Sequence, residues 1–226
     1  VNESILIVED EERMRNLIMA YFNKEGYKIY GAENGARAIE IFKSNHIDLI
    51  ILDIMMPVMD GFDVCKEIRK TSYVPIIILT AKSEEDDKLL GYELGADDYV
   101  TKPFSPRVLI AKGKVLLRRA MPSQSIPSQD IEFDGLRINE ASHEVTIDGS
   151  EVYLSPTEFQ LLLYLAKNKG LALSRDALLD GVWGLDYYGD LRTVDTHIKR
   201  LREKLGDKAY LISTVRGSGY KFEVKK

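Results

Sequence analysis

The chain has 226 residues, 45% apolar and 30% charged, with a formal net charge of -5 and one cysteine. That length favours two domains of ordinary size, no apolar run approaches the ~18 residues of a membrane span, and the short apolar stretch near the N-terminus runs into acidic residues, unlike a secretion signal. A lone Cys65 excludes an internal disulfide framework and fits a reducing, cytoplasmic setting, and the lack of cysteine pairs or a His-rich tract excludes a structural zinc site.

In chain order, short apolar runs stand at 4–8 (SILIV), 27–30 (YKIY), 48–53 (DLIILD), 74–79 (VPIIIL) and 98–100 (DYV). Segments of helical period lie between them. Met14, Leu17, Ile18, Tyr21 and Phe22 recur at i, i+3, i+4, i+7 and i+8, with Gly26 as a stop. Asn34 is placed to cap a helix carrying Ala38, Ile41 and Phe42, and Ser83 to cap one carrying Leu89, Leu90 and Leu94 up to Gly95. A last helix is expected from Pro106 to Arg118. Continuous apolar strands separated by helices predict a doubly wound α/β domain, its five-stranded parallel sheet covered on both faces. Residues 121–130 carry two Pro-Ser-Gln units without periodicity and read as a flexible linker between domains at 1–120 and 131–226.

The second half changes pattern. Alternating stretches broken by Asp134-Gly135 and Asp148-Gly149 signal hairpins. Helices are expected near 156–168, 174–183 and 192–205, and the chain closes as strand, glycine-rich turn and strand, giving a small α+β domain. Residues 192–226 hold ten basic against four acidic side chains on an otherwise acidic protein, which suits one face that meets a polyanion.

Ligands of doubly wound sheets sit beyond the carboxyl ends of the strands. There the first strand ends in Glu9-Asp10, the third in Asp53, the fourth in Thr80, and the fifth is followed by Lys102-Pro103. Crowded carboxylates repel unless a cation sits among them, and hard oxygen ligands suit Mg²⁺. A carboxylate beside such an ion can act as a nucleophile toward phosphorus, with Lys and Thr binding the phosphoryl oxygens. The strand holds Asp53 at the rim, and the break at Pro57 opens the loop for phosphate and metal. Any one of these residues alone reads as a turn or a cap; five at successive strand ends read as a site.

The segments VEDEE, DLIILDIMMPVMDG, IIILTAK and GYELGADDYVTKPF closely resemble the receiver domain of two-component response regulators, a flavodoxin-like fold. The resemblance implies Asp53 as phosphoacceptor, and Glu9, Asp10, Asp53 and the Met55 backbone carbonyl as Mg²⁺ ligands. It also implies that Lys102 pairs with the phosphoryl group, that Thr80 is drawn toward it, that Tyr99 is an aromatic switch and that the Lys102–Pro103 bond is cis.

In the helix expected at 192–205, Val194, Ile198, Leu201 and Leu205 form one apolar stripe, and at ~100° per residue Arg192, Thr196, Lys199, Arg200 and Glu203 fall opposite it. Such groups reach phosphates and base edges from a major groove. Arg216, at the tip of the terminal hairpin between small residues, suits a minor groove. His197 reads as packing or phosphate-contacting, and Trp183 as core. The segments LSPTEFQLLLYLAKNKG, SRDALLDGVWG, RTVDTHIKRLREKLG and TVRGSGYKF resemble the winged helix-turn-helix effector domain of the OmpR/PhoB family. That resemblance implies Arg192, Thr193, Thr196, His197, Lys199, Arg200, Arg202, Thr214 and Arg216 as contacts to double-stranded DNA. It implies residues 184–191 as a loop that meets RNA polymerase, a sensor histidine kinase as phosphodonor, and a homodimer on tandem half-sites after phosphorylation.

Family dimers form through the fifth strand and the helices flanking it. Here Glu93, Asp97 and Asp98 are expected to meet Lys114, Lys112 and Arg119; Lys112 stands where the family has Arg, and Val108 where it has the Glu that pairs with Lys88. The rivals are a phosphohydrolase using Asp53, which Met55 disfavours because a second acid is wanted there, and a DNA-binding protein that is never phosphorylated.

Overall fold

The computed structural model describes residues 3–80, 95–120, 130–184 and 191–224. The helix expected after Ser83 and most of the expected linker lie outside these residues. The chain divides into two compact units, Val1–Ala120 and Met121–Lys226.

The first unit alternates strand and helix: β1 (Ser4–Val8), α1 (Glu12–Lys24), β2 (Lys28–Ala32), α2 (Gly35–Ser44), β3 (Leu49–Asp53), α3 (Gly61–Arg69), β4 (Ile76–Thr80), β5 (Asp98–Thr101) and α4 (Pro106–Ala120). The strands form one parallel sheet in the order β2-β1-β3-β4-β5. Alternate residues of the same apolar strands feed two cores. Leu6, Val8, Ile50, Leu52, Ile76 and Ile78 pack on Ala38, Ile41, Val64, Cys65 and Ile68 of α2 and α3. Ile5, Ile7, Leu49, Ile51, Ile77 and Leu79 pack on Ile18, Phe22, Leu109 and Leu116 of α1 and α4. Each fully buried Val, Leu, Ile or Phe among these contributes about 1.5–3 kcal/mol, so the strands are held from both faces and their carboxyl ends are fixed in space. Asn34 caps α2 by accepting from the Arg37 amide, as its position in the sequence predicts.

The second unit opens with an antiparallel meander, β6 (Ile131–Phe133), β7 (Leu136–Asn139), β8 (Glu144–Ile147) and β9 (Ser150–Glu151). Its turns are the two Asp-Gly pairs, with positive φ at both residues of each, 47° and 79° at Asp134-Gly135 and 48° and 82° at Asp148-Gly149. Then follow α5 (Pro156–Lys167), β10 (Ala172–Leu173), α6 (Arg175–Trp183), α7 (Arg192–Leu205), a 3-10 turn (Gly206–Leu211), β11 (Ile212–Val215) and β12 (Gly219–Phe222). The last strands form a three-stranded sheet in the order β10-β12-β11. Gly219 has φ 132°, and a Cβ there would lie 2.1 Å from the Leu173 carbonyl oxygen, so the hairpin closes on β10 only with glycine. Val194, Ile198, Leu201 and Leu205 of α7 bury against Phe159, Leu162, Leu178 and Phe222 in one core.

Candidate functional site

At the carboxyl edge of the parallel sheet, Glu9 stands one residue past β1, Asp53 ends β3, Thr80 ends β4 and Lys102 follows β5. Because β1 and β3 are neighbours, Glu9, Asp10 and Asp53 converge, with one carboxylate oxygen from each lying within 4.8 Å of the others. Glu9, Asp53 and Thr80 are buried, whereas Asp10 is exposed. The Lys102 ammonium bridges the two buried acids, 2.7 Å from Glu9 Oε2 and 3.0 Å from Asp53 Oδ2. Its backbone amide donates to the Thr80 carbonyl at 2.7 Å, and the Lys102–Pro103 peptide is cis.

The electrostatics follow from this packing. Burial pushes the Glu9 carboxyl up, the Lys102 hydrogen bond opposes that, and the Asp53 charge adds to the rise. Burial also works against the Lys102 ammonium, but its bonds to Glu9 and Asp53 prevail and hold its pKa above the usual lysine value. One cation thus sits between two buried acids at a rim where Asp10 is exposed.

The backbone around the pocket is tightly drawn. Arg15 Nη1 donates to the Glu9 carbonyl at 2.7 Å and to the Asp10 carbonyl at 3.3 Å, which ties the acidic loop to α1. The Met55 amide lies 3.4 Å from Asp53 Oδ1, and the Gly61 amide donates back to the Ile54 carbonyl at 3.1 Å. A Cβ on Gly61 would lie 2.2 Å from the Asp53 carbonyl oxygen, so the start of α3 reaches the end of β3 only without a side chain. Tyr99 lies on β5, 7% exposed and packed with the α2–α3 core.

In the second unit the exposed stripe of α7 is narrower than its periodicity predicts. Arg192, Lys199 and Glu203 are exposed, and Arg202 is partly so. Thr193, Thr196, His197 and Arg200 are buried, at 1%, 6%, 0% and 8% exposure. Arg200, expected on the exposed face, is therefore corrected: its Nη2 lies 2.8 Å from Glu158 Oε1 of α5, a carboxylate with no exposed surface. Lys204 ion-pairs with the other oxygen of Glu158. His197 is a packing residue here, its Nδ1 2.9 Å from the Thr193 carbonyl and its ring edge-on to Trp183 at 5.1 Å. Thr196 Oγ1 donates to the Arg192 carbonyl at 3.1 Å.

Arg202 ties α7 to the terminal hairpin, donating to the Ile212 carbonyl at 2.7 Å and to Thr214 Oγ1 at 2.9 Å. Tyr220 Oη and Arg175 Nε each bond Asp195 Oδ1 at 2.7 Å, which ties α6, α7 and β12 together. Thr214 and Arg216 are exposed on the hairpin. Of residues 184–191, the stretch 185–190 lies outside the described residues.

The expected dimer residues are also redistributed. Asp97 is wholly buried, 3.0 Å from both Arg69 Nη2 and the Ile76 amide, so it is not a surface partner for Lys112, Lys114 or Arg119. Asp98 is bonded within the chain to Lys112 at 2.7 and 2.9 Å, and Lys114 to Glu25, just past the end of α1, at 2.6 Å. Val108 is 48% exposed. Lys88 and Glu93 lie outside the described residues.

The family description "response regulator receiver domain" matches residues 5–114, and "transcriptional regulatory protein, C terminal" matches 149–222. The chain is 48% identical to the transcriptional regulatory protein SrrA of Staphylococcus aureus (strain NCTC 8325 / PS 47), over 100% of this chain and 97% of SrrA. Among solved structures, a mutant of RitR superposes with a TM-score of 0.77 at 27% identity, covering 99% of this chain and 100% of that one. DrrB of Thermotoga maritima, an OmpR/PhoB homolog, gives 0.54 at 30% identity with the same coverage of 99% and 100%. With an acid-and-lysine pocket at the sheet edge of one unit and a winged helix in the other, the chain belongs to the response regulators of the OmpR/PhoB type, transcriptional regulators that join a receiver domain to a DNA-binding domain.

Proposed function

We propose that Asp53 is the phosphoacceptor through which a sensor histidine kinase controls DNA binding by this chain. The observation that carries the proposal is the Lys102 ammonium shared between Glu9 and Asp53, 2.7 and 3.0 Å away, at the end of β3. An Asp53 carboxylate oxygen attacks the phosphorus of the donor. The bond from phosphorus to the histidine nitrogen, or to the oxygen of a small acyl phosphate, breaks, and the leaving group keeps the electron pair. The aspartyl phosphate brings about -1.5 to -2 charges, which Lys102 meets by exchanging a carboxylate for a phosphoryl oxygen. Thr80 at the end of β4 supplies a hydroxyl to that group, and Tyr99 on β5 follows it as the switch.

The acidic set fits Mg²⁺. Its donors are hard carboxylate oxygens of the kind Mg²⁺ takes, and one from each of Glu9, Asp10 and Asp53 lies within 4.8 Å of the others, so these residues would hold the ion. The Met55 carbonyl would be a fourth ligand. When bound, the ion neutralises the crowded carboxylates and the incoming phosphoryl oxygens.

Domains at 1–120 and 131–226, joined by the linker at 121–130, work in the cytoplasm; no helix among the described residues is long and apolar enough to cross a membrane. The phosphorylated chain forms a homodimer on tandem half-sites of double-stranded DNA. The α7 stripe with Arg192 and Lys199 lies along the major groove, Thr214 and Arg216 meet the backbone and minor groove, and the loop at 184–191 meets RNA polymerase. The test is labelling with a small acyl phosphate. One phosphoryl group per chain, dependent on Mg²⁺ and absent from Asp53→Asn, is expected; undiminished labelling of that variant overturns the assignment. Turnover of an added phosphomonoester would instead favour a phosphohydrolase.

A further inference from the structure

Of the five basic side chains on α7, Arg200 and Lys204 meet the same acid, Glu158, from a different helix. Glu158 is the N3 residue of α5 and completes a capping box: it accepts from the Ser155 amide at 2.8 Å, while its own amide donates to Ser155 Oγ at 3.4 Å. It has no exposed surface, and Arg200 Nη1 is buried without a hydrogen-bond partner among the described residues. Burial favours the protonated acid, but the Arg200 and Lys204 charges prevail and hold its pKa below the usual carboxylate range.

Stability alone does not account for such a cluster. Buried ion pairs are often matched or bettered by apolar residues of similar volume, because removing the charges from water offsets their attraction. What the cluster does uniquely is decide where two cations of the DNA-facing helix point.

We propose that Glu158 is a positioning residue for DNA recognition: by holding Arg200 and Lys204 against α5, it withholds two cations from the DNA phosphates and leaves discrimination to the exposed stripe of α7 and the hairpin. The inference rests on the DNA-binding function and deepens it. Each cation that neutralises a phosphate steepens log affinity against log salt by about 0.9 and adds sequence-independent binding. Releasing Arg200 and Lys204 therefore raises affinity for any duplex and lowers selectivity.

Glu158→Gln isolates the charge, because glutamine still serves a capping box. In the full-length chain, affinity is measured over a salt series for a duplex selected by the wild type from a random pool and for its scrambled counterpart. The expected result for Glu158→Gln is a salt slope steeper by about one to two units and a selected-to-scrambled ratio about tenfold lower. Lys204→Gln, which leaves the Arg200–Glu158 pair in place, is expected to keep the wild-type slope, and it decides the matter if Glu158→Gln does not fold. A folded Glu158→Gln with an unchanged slope, or a Lys204→Gln slope shallower by about one unit, overturns the proposal, since Lys204 would then already touch phosphate. A wild type without salt-dependent binding to either duplex overturns the DNA-binding function itself, and the proposal with it.

Discussion

The acid-and-lysine pocket at the sheet edge and the base of α7 are mirror images in charge. In the pocket one cation, Lys102, bridges two acids, Glu9 and Asp53; beneath α7 one acid, Glu158, bridges two cations, Arg200 and Lys204. They differ in access. Lys102 keeps 20% of its side chain exposed at a rim where Asp10 is open, whereas Glu158 has none. A bridging charge at a rim can exchange partners when a ligand arrives, and an enclosed one cannot without unpairing buried charge. The first arrangement suits a switch and the second a fixed brace.

The largest effect that sharpens this contrast is on stability. Arg200→Ala leaves Glu158 with Lys204 alone and is expected to destabilise the second unit by about 3 kcal/mol, the low end for breaking a buried pair. Lys199→Ala, one residue away and exposed, is expected to cost under ~0.5 kcal/mol and to flatten the salt slope of DNA binding by about one unit. Urea denaturation of the two variants checks this, and equal losses would break the contrast between brace and exposed stripe.

On the pocket side, Gly61→Ala forces the end of β3 to move, because its Cβ would meet backbone at 2.2 Å. The expected cost is about 1–3 kcal/mol, typical of overpacking, together with slower phosphorylation of Asp53 by an acyl phosphate. Normal stability with a normal labelling rate would mean that this close approach is not needed.

The brace also has a pH signature. The folded pKa of Glu158 lies below its unfolded value. Its contribution is therefore fully present above the unfolded carboxylate pKa of about 4.3 and is lost as pH falls through the folded value, at about 1.4 kcal/mol per unit of depression. The urea midpoint of the second unit should fall between pH 6 and pH 3 by more in the wild type than in Glu158→Gln, and parallel curves would count against a charged brace.

The smallest expected effect concerns the dimer face. In the proposed phosphorylated dimer, Val108→Glu is expected to supply a partner for Lys88 and to tighten association by about 0–1 kcal/mol per exposed pair, twice over in a symmetric dimer and more so at low salt. Sedimentation over a salt series checks it; an unchanged constant at low salt would separate Lys88 from residue 108.

The pocket was legible because topology does the convergence. Once five apolar runs are assigned to a parallel sheet, whatever follows each strand meets at one edge, and Glu9, Asp53, Thr80 and Lys102 are brought together as the pattern predicts. Strand limits moved where packing overrode local pattern. The second strand runs on through Gly31 and Ala32, paired with Ile7 and Val8, because the missing side chain at Gly31 leaves room for Met19. The fourth starts at Ile76 rather than Val74, after Pro75, which has no amide to donate. The face of α7 was less legible. Periodicity separates apolar from polar, but it cannot tell that a polar residue is buried when its partner lies on a distant helix, as Glu158 of α5 does from Arg200. The Ser155-Pro156-Thr157-Glu158 capping box was a visible signal for Glu158, though as a helix start and not as a counter-ion. Asp97 escaped for the same reason, its partner Arg69 lying 28 residues back.

The central claim is that phosphorylation at the rim controls DNA binding in the other unit. It is tested most directly by titrating the selected duplex with full-length wild type and Asp53→Asn, each with and without a small acyl phosphate and Mg²⁺. The account predicts that the acyl phosphate tightens binding by the wild type and leaves Asp53→Asn unmoved; equal tightening of both, or of neither, would contradict it.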